Sequence, residues 1–549
     1  MQSGAMRGWQ TGVTISFPVT IMKRLPMHVL RPIPKCGRLH FMIPETFDID
    51  RPRPIHGLSL RAIFFMLFGI LVAMQAALWA FLAMPLWWSF VALTGCGAIG
   101  WAVWRAQWPG RVSAGTLGVC LAVAFCLLLL GGEGRFFYAN TDWQVRNAVL
   151  GDLARFSWPF AYDQPLGAKI LRAPLGMYLL PALIGKWAGS YAAEVALLTQ
   201  NTVMLALILA LGSGLFAERR QRAIALGVFV GFSGMDVFGQ ILIRHPLSLH
   251  LEQWSNLQYS SHVTQAFWVP QHAMTGWLFA MLYLLWLRKR APAIALFAVM
   301  PLLALLSPLA LMGCVPLAAH VFLSTAIRRD LTPGMILWPA LAGAISLPGL
   351  LYLTANSGAV GAGGASLNWW VYGIFLTLEV GGYFYALRLT LRQLRFGGTA
   401  TMLVVAMLVT IPLGRVGDSS DFIMRASIPA LAILSVMMAA ILAEDGPQDD
   451  RAAQRKARWL ILVVLAVGLI TPLGEIGRAL MWPASPRVQC SYMGVVPGGA
   501  PTYVAPVSSL PKMIRPKRFT LVRPVEPRHC WDGPWPDGVT GRDSSIDPK

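Results

Sequence analysis

The feature that most constrains this chain is a ladder of uncharged apolar runs, each near 20 residues, separated by short clusters of arginine and lysine. A helix of about 20 residues crosses the roughly 30 Å hydrocarbon core of a bilayer. Inside lipid the backbone must satisfy its own hydrogen bonds, so such runs form helices. Composition agrees. Of 549 residues, 56% are hydrophobic and 13% are charged, and the mean hydropathy is +0.57, whereas a soluble domain carries about 25% charged residues. The pattern predicts an all-α polytopic membrane protein with about 13 transmembrane helices and an outward helical loop. The spans are expected near 58–82, 86–104, 114–131, 192–216, 223–243, 271–287, 292–308, 309–327, 334–354, 367–387, 398–414, 422–443 and 458–479.

The basic clusters orient these spans. Arg51, Arg53 and Arg61 precede the first span, and Arg105 and Arg111 follow the second. Arg219, Arg220 and Arg222, then Arg288, Lys289 and Arg290, then Arg328 and Arg329 follow the fourth, sixth and eighth. Arg388, Arg392 and Arg395 follow the tenth, and Arg451, Arg455, Lys456 and Arg458 precede the last. All fall on one side if the N-terminus is cytoplasmic, as the positive-inside bias requires. The net charge of +20 is therefore topological and no nucleic-acid partner is expected. The agreement requires that Ala173–Gly185 does not cross: its 13 residues reach about 20 Å as a helix, short of the core. We read it as a half-helix or interfacial helix on the outer face, started near Pro174. The expected setting is a bacterial inner membrane with a periplasmic C-terminus.

Three segments follow: 1–55, basic, disordered and without a cleavable signal peptide; 56–480, the transmembrane domain with outward loop 132–172; and 481–549, an outward tail or small cap. Segments 244–270, 355–366 and 415–421 also face outward. Cys490 and Cys530 lie in an oxidising compartment on this topology, so a disulfide and two free thiols are both open. Cys96, Cys120, Cys126 and Cys314 fall in apolar runs and are expected as small core residues.

Polar residues concentrate in the outward segments. The loop holds Asp142, Arg146, Asp152, Arg155, Asp163, Lys169 and Arg172. Asp142 directly follows a membrane exit, and Asp152 stands ten residues on, so both can share a face of one surface helix. The structural alternative makes Asp142 a helix-terminal residue and Asp152 the partner of Arg155 or Arg146. Segment 244–272 holds His245, His250, His262, His272, Glu252, Trp254, Tyr259, Phe267, Trp268 and Gln271. It lacks the H-E-x-x-H spacing of a zinc helix. A polar, aromatic surface suits a sugar, which assigns substrate binding to Glu252, His262, Trp268, Gln271 and His272; the alternative is an interfacial aromatic belt. The last loop carries Arg415, Asp418, Asp421 and Arg425, the last of these four residues into a span. Charges inside spans are rare and usually functional or paired. Arg415 or Arg425 can grip a phosphate with its fork of donors, while Asp421 four residues before Arg425 offers a plain helical pair.

The ending of the first loop, LRAPLGMYLLPALIGKWAG, carries a resemblance. An outward loop with an Asp, a short apolar run and then a long span resembles the integral-membrane glycosyltransferases of the GT-C fold. In layout the chain is similar to the enzymes that take sugars from polyprenyl-phosphate donors, such as protein O-mannosyltransferases and lipid A aminoarabinose transferases. Those carry an Asp in the first outward loop and a K-P-P-L-x-Y-W type element before the next long span. Ala173, Pro174, Leu175, Gly176 and Tyr178 match that element, and Arg172 stands where the family has Lys. The resemblance covers about 114–443. Two extra spans precede the loop, and Trp143 follows Asp142 where the family often has a second acid. The resemblance implies a GT-C-like fold and sugar transfer from a polyprenyl-phosphate-linked donor to a periplasmic glycan, lipid or protein. It makes Asp142 the base and assigns the donor phosphate to Arg146, Arg172, Arg415 and Arg425. Asp152 and Tyr178 join the substrate-binding residues. No cofactor and no metal ligand are assigned, and a divalent metal is left open. Membrane lipids are the remaining partners. The alternative is a multi-span transporter or flippase of a lipid-linked saccharide. That class places charges midway through spans and uses paired broken helices, whereas the charges here are read as gathering at outward ends.

Overall fold

A computed structural model describes residues 57–243, 250–364, 367–391, 394–417, 420–445, 450–523 and 526–535. The segment 1–55, His245 and Asp418 lie outside the described residues. Strand β1 (Gly57–Ser59) pairs antiparallel with β2 (Arg111–Ser113), and α1 (Leu60–Phe81) and α2 (Leu86–Arg105) run between them. Ser59 ends β1 and caps α1, its Oγ accepting from Ala62 N–H at 3.1 Å. Ser113 does the same for α3 (Ala114–Leu130), accepting from Thr116 N–H at 3.3 Å.

The polar loop folds as α4 (Asp142–Arg155), the strands β3 (Phe160–Tyr162) and β4 (Lys169–Leu171), and the short α5 (Gly176–Ala188). α6 (Ser190–Ser213), α7 (Arg219–Gly231) and α8 (Asp236–Ile243) follow. Next come α9 (His262–Trp268), α10 (Pro270–Leu287), α11 (Ala293–Val299), α12 (Pro308–Ile327), α13 (Gly334–Thr354), β5 (Ala362–Gly364), α14 (Trp369–Leu376), α15 (Gly382–Leu389) and α16 (Gly398–Thr410). The bundle ends with β6 (Gly414–Val416), α17 (Asp421–Ala426), α18 (Ile428–Ala443), α19 (Arg451–Gly468) and α20 (Ile470–Met481). α6 is the pillar, packed against α1, α3, α5 and α10, while α18 packs on α7 and α10.

The described residues hold seven helices long and apolar enough to cross a membrane: 60–81, 86–105, 190–213, 219–243, 308–327, 334–354 and 451–481. That is fewer than the about 13 expected from the hydropathy ladder. The remaining runs are shortened, broken or opened by polar residues. α3 has only 17 residues. Pro292, Pro301 and Pro308 divide run 292–308 into α11 and a 3₁₀ turn at Leu302–Leu305. A π-helical turn at Thr377–Gly381 interrupts run 367–387. Pro412 ends run 398–414 in a 3₁₀ turn. Ser427 and Pro429 separate α17 from α18. α10 opens on the polar pair Gln271 and His272. As expected, 173–185 gives only the 13-residue α5. Cys96, Cys120 and Cys314 are buried, but Cys126 is exposed on α3 and is not a core residue.

The basic clusters have a second, structural role at the end of α6. Arg222 donates to the carbonyls of Phe216 at 3.0 Å and Ala217 at 2.8 Å. Arg290 donates to Gly214 O and Arg395 to Leu215 O. Three arginines thus hold the main-chain carbonyls of the turn 214–217 that leaves α6, where positive charge is also favoured by the helix dipole.

The tail is a cap built onto the loop. It contributes α21 (Tyr492–Val495), β7 (Val504–Pro506) and β8 (Thr520–Val522), and one sheet of order β7-β4-β3-β8 sandwiches the loop strands between tail strands. Cys490 and Cys530 are disulfide-bonded, with Cα atoms 4.8 Å apart. Asp152 is the tie between the two segments. Its carboxylate accepts from Tyr162 Oη at 2.5 Å and Tyr492 N–H at 2.7 Å, and pairs with Arg155 Nη2 at 3.3 Å. Burial pushes its carboxyl up to about 7 against the pull of those donors.

Two variants test the cap. The disulfide closes a 40-residue separation, worth about 4 kcal/mol in a chain-entropy account. Replacing both cysteines by serine is expected to expose the tail to limited proteolysis while the bundle stays intact. Asp152→Ala leaves a buried hydroxyl and a buried N–H without an acceptor, a cost of about 1–3 kcal/mol, and should release the same fragment. Digestion patterns that match the parent protein in both variants would show that the tail is held by something else.

Candidate functional site

The site starts where α3 ends. Gly132 takes φ +91°, and a Cβ there would lie 2.2 Å from the Ala139 side chain, so only glycine lets the chain reverse this tightly. The reversal brings Asn140 and Trp143 against α9, where Asn140 Nδ2 and Trp143 Nε1 both donate to Phe267 O at 3.0 Å. The first turn of α4 is thereby fixed, and with it the pair Asp142 and Arg146. Arg146 Nη2 lies 3.0 Å from Asp142 Oδ2. The two ends of this pair differ: Asp142 is 43% exposed and Arg146 only 2%. The Arg146 guanidinium also lies 5.3 Å from the Trp143 ring centroid, a cation–π contact. Its Nε and Nη1 are buried and have no acceptor among the described residues.

A second pair of the same kind faces it. Arg425 Nη2 lies 3.0 Å from Asp421 Oδ1, and Arg425 Nε is likewise buried without an acceptor among the described residues. Both guanidiniums act electrostatically on His272 and on Tyr503, so α4, α10, α17 and the tail converge here. Tyr178 of α5 is buried in the same field, beside Arg146, Tyr503, Asp142 and Glu133. His272 is held by Ser307 Oγ at 2.5 Å, and Ser307 itself caps α12, accepting from Ala310 N–H at 3.0 Å. Gln271 Oε1 is buried without a donor among the described residues. Burial pushes the Glu133 carboxyl up to about 8, against the Asn201 hydrogen bond at 3.0 Å and the Arg146 charge. A largely protonated Glu133 leaves Arg146 with Asp142 as its anion.

The structure thus gathers Asp142, Arg146, Tyr178, Gln271, His272 and Arg425, and sends the other expected site residues elsewhere. Asp152 does not share the face of Asp142: it is fully buried against the tail, and its oxygens are taken by protein donors. Arg172 is engaged by main-chain carbonyls, Pro501 O at 2.6 Å and Leu353 O at 3.4 Å. Arg415 is exposed on β6, opposite Gly363. His262 is buried among Phe229, Phe232 and Trp277, with Nδ1 2.7 Å from Phe229 O. Two participants escaped sequence reading. Tyr503 arrives from a distant tail with no local signal, and Glu133 sits in a Gly-rich turn that reads as plain connection.

Glu252 and Trp268 belong to a second polar centre, made of buried acids. Between α7 and α8 the helix breaks at 232–235. Asp236 Oδ2 there accepts from Ser233 Oγ at 3.1 Å and Thr471 Oγ1 at 2.9 Å. Glu379, in the π-helical turn, accepts from Trp254 Nε1 at 3.2 Å. Its carboxyl presses on the break so closely that a Cβ on Gly234 would lie 2.0 Å from Oε2. Asp236 and Glu379 are buried neighbouring carboxyls that interact electrostatically. Glu252 accepts from Ser261 N–H at 2.8 Å and Gln258 Nε2 at 3.0 Å. Burial, then the Asp236 charge, pushes its carboxyl up to about 8. Trp268 Nε1 donates to Glu475 at 3.1 Å. The reading that charges gather only at outward ends is therefore corrected, since Asp236 and Glu379 lie inside runs 223–243 and 367–387. An acid within an apolar run was the signal that could have found them. No group of three or more His, Cys, Asp or Glu among the described residues is arranged to hold a metal.

In comparisons with protein-family models, curated proteins and solved structures, no match to the chain was found.

Proposed function

We propose that this protein is a membrane glycosyltransferase of GT-C-like architecture, with the loop and cap on the periplasmic side of a bacterial inner membrane. It transfers a sugar from a polyprenyl-phosphate donor to a periplasmic acceptor. The observation that carries the reading is the pair Arg146, buried, and Arg425, half-buried, whose guanidiniums keep buried N–H groups without acceptors among the described residues beside the partly exposed carboxylates of Asp142 and Asp421. Burying an arginine with free donors is costly unless an anion completes it. A phosphate offers the matching oxygens and binds through charge-assisted bonds. On this reading the acceptor hydroxyl attacks the anomeric carbon, the sugar–phosphate bond breaks, and Asp142 takes the hydroxyl proton. Arg146 and Arg425 stabilise the charge that grows on the departing phosphate. Shorter helices such as α3, α16 and α18 complete the expected span count on this reading.

Asp142→Asn keeps the shape of the base and removes its proton acceptance, a loss of roughly 10²–10⁴-fold in turnover. The measurement is transfer of labelled sugar by purified protein, with gel filtration to show that the variant folds. Full activity in Asp142→Asn would remove this residue from the chemistry.

Arg425→Met is expected to weaken the donor, raising its apparent KM or lowering turnover, and to leave the acceptor KM unchanged. If Arg425 serves only as partner to Asp421, then Asp421→Asn gives an equal defect and the double variant is no worse than either single one. A double-mutant cycle on donor kinetics separates the two.

One observation favours a second reading, a transporter or flippase of a lipid-linked saccharide: the neighbouring buried carboxyls Asp236 and Glu379 at a broken helix. Under that reading Asp236→Asn abolishes movement of the saccharide lipid in sealed vesicles. Under the transferase reading the same variant keeps sugar transfer within a few-fold of the parent.

A further inference from the structure

At the basic end of the bundle, away from both polar centres, a cavity of about 500 Å³ opens between α3, α6 and α7. We propose that it binds one chain of an anionic phospholipid, with the headgroup at the Arg219 rim. The cavity has the layout of such a ligand. Its walls are apolar, formed by Ile208 of α6 and Phe229 of α7. Its floor is Met281 of α10 and Val436 of α18. Both floor residues are buried and belong to helices behind the outer layer, so the cavity enters the bundle and is more than a groove along its surface. Val119 of α3, 53% exposed, forms a lateral opening of the cavity. From Arg219 to Phe229 the cleft runs ten residues of helix, a depth of about 15 Å, suited to a hydrocarbon chain and poorly to a water-soluble ligand.

The rim supplies the charge. Ser113, Thr116, Arg219 and Arg222 line it, and none of the residues lining the cavity is acidic. Arg222 is occupied with the carbonyls of Phe216 and Ala217. Glu218 is turned to its own helix as a capping box. Arg219 is exposed at the mouth, backed by the arginines that crowd the end of α6. An anionic headgroup is attracted by such a rim and a chain by such walls. The inference concerns the end that the positive-inside bias makes cytoplasmic, and it does not depend on sugar transfer.

The test uses the full chain in nanodiscs of mixed phosphatidylglycerol and phosphatidylcholine, with lipid retention counted by native mass spectrometry after extraction. The parent protein is expected to keep one phosphatidylglycerol. Arg219→Gln should weaken it about fivefold, the worth of one arginine near an anionic headgroup. Gly115→Leu should also displace it, because Gly115 lines the cavity and a Cβ there meets no atom within 4 Å. That added side chain fills empty space and leaves packing alone. Equal retention of the two lipids, or none of either, overturns the proposal. So does a loss in Arg219→Gln with full retention in Gly115→Leu, which would place a headgroup at the rim with no chain in the cleft.

Discussion

A guanidinium buried at one end of an apolar bundle sets the terms for the rest of this structure. Taking an arginine out of water carries a penalty of several kcal/mol even after relaxation. Arg146 meets that penalty with one ion pair to Asp142, the Trp143 ring and a polar surround of Tyr178 and Tyr503. None of these holds its position alone. Trp143 is fixed by Phe267 O, Tyr503 is carried in by the cap, and the cap is fixed by Asp152 and the disulfide. Removing any of these supports leaves the charge where water, not protein, must solvate it.

The parts of this arrangement that sequence could show are the ones governed by local physics. Apolar runs gave the helices, and the 13-residue run 173–185 gave a short helix. Where a run carries proline or a polar turn, hydropathy averaged over the window hid the break, as in 292–308 and 367–387. The Asp421–Arg425 pair was legible because four residues is one turn. The partners of Asp152 and Arg172 were not. Tyr492 stands 340 positions from Asp152, and Pro501 stands 329 from Arg172. No periodicity spans such distances. Asp152 therefore looked like a site residue, when burial and donors from two segments make it a fastener.

The same contrast explains why the residues of 244–272 divided between two centres. As a string they form one polar, aromatic stretch. In the fold, α9 separates them. Its leading residue Ser261 donates its N–H to Glu252 in the acid centre, while its last turn offers Phe267 O to the arginine centre. The next residue, Trp268, turns back to Glu475. His272, in the first turn of α10, is held by Ser307 within the field of the arginines. A seven-residue helix thus stands between the arginine centre and the acid centre.

That partition has an electrostatic consequence. Two centres of opposite charge inside a low-dielectric bundle attract, and unrestrained side chains would collapse into direct pairs and neutralise both. Here three carboxyls of the acid centre are held by neutral donors, Trp254 for Glu379, Ser233 and Thr471 for Asp236, Gln258 for Glu252, while Glu475 pairs with Arg478 on its own helix. Arg146 and Arg425 keep their own short-range anions four residues back on the same helices. Each local pair meets only part of its arginine's hydrogen-bonding capacity, and the more distant acids cannot reach to meet the rest. The unused donors therefore stay aimed at a fixed position with little reorganisation left to do, which is the condition under which charge stabilisation in a dry site is strongest.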